Sequence, residues 1–128
     1  MSGSGSITVY GNGDAAGIST YANNESSVAW TGDIEVHAYG AVTGVSATTT
    51  SATGYVDVNV TGDIYTDADG AVYGNNYGIT AIASSSPAGS VDIDVVGNIA
   101  IEDGNYGIGI YAAGGGAILN LNYHWKQL

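Results

Sequence analysis

Apolar and polar residues alternate along this chain in short runs, each closed by Gly, Asn, Asp or Ser. Period-two alternation between turn formers is the pattern of short β-strands, whose successive side chains point to opposite faces. Ile7-Thr8-Val9, Ile34-Glu35-Val36, Ile64-Tyr65-Thr66 and Ile99-Ala100-Ile101 make one set of such runs. The alternation sends Ile7, Ile34, Ile64 and Ile99 inward and leaves Glu35, His37, Tyr65, Asp67 and Glu102 to water. A second set begins at Gly17, Gly44, Gly78 and Gly107, with Ile18, Val45, Ile79 and Ile108 inward. In the third set Val28, Val58, Ile93 and Leu119 share one inward row, and Trp30, Val60, Val95 and Leu121 share the next.

The three sets recur together behind a Gly-x-Ile phrase: Gly5-Ser6-Ile7, Gly32-Asp33-Ile34, Gly62-Asp63-Ile64 and Gly97-Asn98-Ile99. The phrases start 27, 30 and 35 residues apart. A block of that size cannot bury its own apolar face and is sheltered by its neighbours. Three strands and three turns, repeated, predict an all-β fold: a parallel β-helix (β-solenoid) of about four coils over residues 7–122, with the right-handed sense that crossover connections prefer. Residues 1–6 read as a flexible Gly/Ser linker, and residues 123–128, which leave the alternation and carry Tyr123 and Trp125, as a tail or cap. The repeat varies in length in its turns, most of all between Asp67 and Tyr77. Stacked parallel strands leave unpaired edges on the outermost coils, so end-to-end self-association, as a dimer or a filament, is expected.

Composition narrows the partners. The chain has 128 residues, enough for one domain, and its 21 glycines make helices poor candidates. Twelve acidic residues stand against one basic residue, Lys126, giving a net charge of -11. Nucleic acid and anionic membrane surfaces are repelled by that charge. No apolar run reaches the ~18 residues of a membrane helix, so direct insertion is not expected, and the opening lacks the charged and apolar regions of a signal peptide. Cysteine is absent, which removes disulfides and thiolate metal sites.

Several groups carry candidate chemistry. Asp33, Asp63 and Asn98 fall at one corner of successive coils, where Asx side chains cap amides in tight turns, and they read as a structural ladder. Asp67 and Asp69, with Asn75 and Asn76 nearby, offer oxygens to calcium, the one cofactor the sequence points to. Asp57, Asp92 and Asp94 gather carboxylates on the third face, as glycoside hydrolysis requires, yet without a basic partner. His37 and His124 have no histidine or cysteine close in sequence, and no Gly-x-Ser-x-Gly elbow occurs. A non-catalytic protein is therefore expected. Tyr21 and Tyr111 fall in one outward column with Thr48 and Ile82, and Tyr39, Tyr73, Tyr77 and Tyr106 crowd the loops leading into it. Such a surface suits stacking on sugars or packing on a protein.

The Gly-Asp-Ile starts, the phrase Tyr77-Gly78-Ile79-Thr80-Ala81 and the run Val58-Asn59-Val60-Thr61-Gly62-Asp63-Ile64 resemble the repetitive passenger regions of bacterial autotransporters and related surface adhesins. The resemblance spans residues 5 to about 122. It implies a right-handed β-helical stalk outside a Gram-negative cell, taking part in adhesion, aggregation or spacing, with a surface glycan or protein as partner. A polysaccharide-active β-helix or a carbohydrate-binding module using the exposed Asp and Tyr residues is the competing expectation.

Overall fold

A computed structural model describes residues 1–69, 75–83, 88–102, 106–115 and 119–124. They form thirteen strands: β1 (Ser2–Ser4), β2 (Ile7–Gly11), β3 (Ala15–Ala22), β4 (Glu25–Thr31), β5 (Ile34–Ala38), β6 (Val42–Thr49), β7 (Tyr55–Thr61), β8 (Ile64–Asp67), β9 (Asn75–Ile82), β10 (Ser90–Val96), β11 (Ile99–Glu102), β12 (Tyr106–Ala113) and β13 (Leu119–His124). No helix occurs among the described residues. The strands make three parallel sheets in the orders β2-β5-β8-β11, β3-β6-β9-β12 and β1-β4-β7-β10-β13. Each strand pairs with its counterpart in the neighbouring coil, and the stack is a β-solenoid.

The turn from the third sheet into the next coil explains the Gly-x-Ile phrase. Gly5, Gly32, Gly62 and Gly97 have φ of 124°, 127°, 145° and 153°, a region that L side chains avoid. They also stack: a Cβ on Gly62 would strike the Gly32 carbonyl, and one on Gly32 the Gly5 carbonyl. The isoleucine two residues on opens each first-sheet strand, and Ile7, Ile34, Ile64 and Ile99 stand in register.

Strands of the second sheet bend at a glycine. In β6 both Gly44 and Val45 are buried, so the alternation changes phase there, and the same happens at Gly78-Ile79 in β9. A Cβ on Gly44 would lie 2.5 Å from Ile64 Cγ2 and 2.6 Å from the Gly78 carbonyl oxygen. The bend thus rests directly on the isoleucine of the next coil. Ile18, Val28, Ile34, Val45, Val58, Ile64, Ile79 and Ile93 fill the fully buried interior.

The ends differ from the sequence expectation. Ser2–Ser4, expected within a flexible linker, is β1 and pairs with Ala29–Thr31 of β4. A strand there needs only backbone groups, which Gly and Ser supply, and the terminal amine donates to the Ser27 carbonyl at 2.5 Å. Lacking a Cβ, Gly3 leaves room for the Trp30 ring. In the last coil the first strand keeps the expected register, but the second and third are two residues later than expected: Ile110, not Ile108, pairs with Ile79, and Leu121, not Leu119, with Ile93. Strand β13 therefore runs through Tyr123 and His124. The remainder of the expected cap, 125–128, lies outside the described residues.

Candidate functional site

The outer surface of the second sheet is neutral. Its strands β3, β6, β9 and β12 have 8 residues each, and none of these is Asp, Glu, Lys, Arg or His. Tyr21, Thr48, Ile82 and Ala113 form one cross-strand row, and Ser19, Ser46, Thr80 and Tyr111 the next. Tyr111 thus leaves the Tyr21 row expected for it, a consequence of the two-residue shift. It meets Tyr77 instead, edge to face, with centroids 6.1 Å apart and planes at 61°. Tyr21 is 75% exposed and Tyr111 43%. Tyr106 is also exposed at the start of β12, opposite Asn75, whereas Tyr73 lies outside the described residues. Beside these rows an open hollow of about 340 Å³ is bounded by Ala16, Ser19, Thr43 and Ser46, with Asp14 at its rim.

The first sheet has a polar outer face of different character. Tyr10, His37, Asp67 and Glu102 occupy one row. His37 Nε2 is 2.7 Å from Glu35 Oε1, and Nδ1 is 3.3 Å from Asp67 Oδ2. The imidazole stacks on Tyr10 at 4.9 Å and 12° and tilts against Tyr65 at 5.4 Å. The hydrogen bond to Glu35 holds His37 above the usual imidazole range against a smaller opposing effect of burial, and Asp67 adds to the rise. Tyr65 donates to Glu102 Oε2 at 2.8 Å, and this bond, with burial, pushes the phenol up to about 12. Asp69 brings a carboxylate to the same place, so that one ligand atom each of His37, Asp67 and Asp69 lies within 4.8 Å of the others. A cleft of about 300 Å³ opens there between Tyr10, Asn12, His37, Tyr39 and Asp69.

The asparagines expected to join Asp67 and Asp69 direct their amide nitrogens elsewhere. Asn76 is fully buried, and its Nδ2 donates to the Thr66 and Glu102 carbonyls at 3.2 and 2.7 Å. Asn75 Nδ2 donates to the Tyr77 hydroxyl at 3.2 Å. The residue that does join them is His37, which sequence proximity alone misses. The signal was present: setting Ile34 over Ile64 sets His37 over Asp67.

Asp33, Asp63 and Asn98 follow one another up a corner. Asp33 Oδ1 accepts the Asp63 amide at 3.0 Å, and Asp63 Oδ1 the Asn98 amide at 2.8 Å. Each carboxylate therefore serves the coil above rather than its own turn. On the third sheet Asp57 stands opposite Asp92, and Asp94 opposite Asn59. Burial, then the Asp92 charge, lifts the Asp57 carboxyl above the usual range, although Asn59 Nδ2 donates to it at 2.7 Å.

Comparison with protein-family models, with curated proteins and with solved structures gives no match.

Proposed function

We propose that this chain is a non-catalytic structural and adhesive β-solenoid segment of a secreted or cell-surface bacterial protein, which holds a surface glycan, a protein or a second copy of itself. The observation that carries this reading is the second sheet: four strands without a charged residue in a chain of net charge -11. Acidic residues keep such a chain soluble wherever they face water, and a broad neutral face with exposed tyrosines is the part free to contact a partner. Tyr21 and Tyr111 offer rings for stacking, and the neighbouring Ser and Thr hydroxyls offer hydrogen bonds. The motif resemblance to autotransporter passengers and surface adhesins supports the cell-surface setting.

Self-association has its own support at the ends of the stack. Ile7, Val9, Ile99 and Ile110 are only partly buried, whereas Ile34, Val36, Ile64 and Ile79 are fully buried one coil further in. Another coil placed against either end would cover them.

Two measurements test the proposal: retention on immobilised glycans and surface proteins, and sedimentation velocity over a wide concentration range. A Tyr21→Glu/Tyr111→Glu variant should lose retention and keep its fold. Equal retention or equal association in that variant would remove the tyrosine face from the reading.

A second reading, a polysaccharide-active enzyme, is favoured by the raised Asp57 carboxyl beside Asp92. Paired carboxylates are the equipment of glycoside hydrolysis. Turnover of a polysaccharide that disappears with Asp92→Asn would establish it in place of the adhesive reading.

A further inference from the structure

We infer that His37, Asp67 and Asp69 form a binding site for a divalent transition-metal ion of the zinc class, with Glu35 as the positioning residue for the histidine. The site lies on the first sheet, away from the tyrosine face, and does not depend on the adhesive reading.

The two sides of the imidazole differ. Nε2 to Glu35 Oε1 is a short contact of 2.7 Å, the length of a strong N–H donor on a carboxylate. A neutral imidazole that donates from Nε2 presents the lone pair of Nδ1 on its other edge. That edge faces Asp67 Oδ2 at 3.3 Å, a long separation for a hydrogen bond and a poor one for two facing acceptors. It is also close to the edge of a tetrahedron whose metal–ligand bonds are about 2.0–2.1 Å, the geometry of zinc sites. A carboxylate holding the far nitrogen of a ligating histidine is the arrangement that orients such ligands.

Two further features complete the set. Asp67 Oδ1 is buried and has no hydrogen-bond partner among the described residues, so the carboxylate carries unspent acceptor capacity in this corner. Asp69 is exposed in the turn after β8, and its ligand atom lies within 4.8 Å of the other two, a gap that a side-chain rotation closes. One imidazole nitrogen with two carboxylate oxygens is a mixed donor set that zinc-class ions accept, whereas calcium takes six to eight oxygens. The cleft between Tyr10, Asn12 and Tyr39 leaves a coordination position open to water or to an oxygen of a bound partner.

Calorimetric titration of the chelator-treated full chain with zinc sulfate, repeated with calcium chloride, tests the site, and cobalt absorption spectra report the donor set. One equivalent of zinc is expected to bind at least tenfold more tightly than calcium. His37→Gln should weaken zinc about a hundredfold and the exposed Asp69→Asn about tenfold, with unchanged circular dichroism. Glu35→Ala should weaken it about 10- to 100-fold, with Glu35→Gln restoring most of the loss. Zinc binding that does not saturate, that matches calcium, or that survives both His37→Gln and Asp69→Asn would overturn the proposal. Full affinity in Glu35→Ala would overturn the role given to Glu35.

Discussion

Asp63 Oδ1 takes two hydrogen bonds from Asn98, one from its backbone amide at 2.8 Å and one from Nδ2 at 3.0 Å. The backbone amide of Asp63 in turn donates downward, to Asp33 Oδ1 at 3.0 Å. One side chain per coil thus ties three coils together at the corner where Gly32, Gly62 and Gly97 turn the chain. Asp63→Ala removes both acceptor bonds at an exposed position and should cost about 1 kcal/mol by urea unfolding. Asp63→Asn keeps an acceptor oxygen and relieves the charge on Asp33, so its effect should be smaller.

Ile64 occupies the interior with no exposed surface. Ile64→Ala should cost about 2–5 kcal/mol, and Ile64→Asp should prevent folding, because an unpaired carboxylate would replace a core side chain. Circular dichroism and urea midpoints measure both. A folded Ile64→Asp together with a disrupted Asp63→Asn would place the strand one residue out of register.

Gly44→Ala tests the bend in the second sheet. The new methyl would meet Ile64 Cγ2 at 2.5 Å and the Gly78 carbonyl oxygen at 2.6 Å, and backbone cannot rotate away as a side chain does. Overpacking of this kind costs about 1–3 kcal/mol. The exposed Gly13 has nothing within 4 Å of such a methyl, so Gly13→Ala should fall well below that figure in the same urea experiment.

Asp57 gives a pH dependence opposite in sign to the usual carboxylate. Its folded pKa is raised, through burial and then Asp92, so between the unfolded value and the folded one the native state holds more protons. Stability from this group is therefore full below the unfolded pKa near 3.8 and is lost as pH rises through the folded value. Asp57→Asn should raise the urea midpoint at pH 7 and leave it nearly unchanged at pH 3.

The first three coils were legible because each inward position repeats: Ile34 over Ile64, Val28 over Val58, Val45 over Ile79. The fourth coil was ambiguous because Gly107-Ile108-Gly109-Ile110 offers the same Gly-Ile pair twice, two residues apart. A two-residue slip keeps every side chain on its face, so alternation cannot choose between them. Close packing chooses: Gly78 lies under the Gly109 carbonyl, which puts Ile110 over Ile79. Strand β1 was not legible, since Ser-Gly-Ser has no apolar signal and pairs through its backbone alone. The histidine cluster was hidden for a third reason, that its partners are 30 residues apart in sequence and one coil apart in space.

The tyrosine face depends on which residue stands over which in the second sheet, and the chain's lack of cysteine makes that relationship directly measurable. Strands one coil apart bring paired Cα atoms within the ~4.4–6.8 Å that a disulfide spans. Thr80 and Tyr111 are such a pair, whereas Ile82 pairs with Ala113. Under mild oxidation the Thr80→Cys/Tyr111→Cys protein should cross-link within one chain, and Ile82→Cys/Tyr111→Cys should not. Cross-linking of the second pair without the first would contradict the stacked register on which the tyrosine face is built.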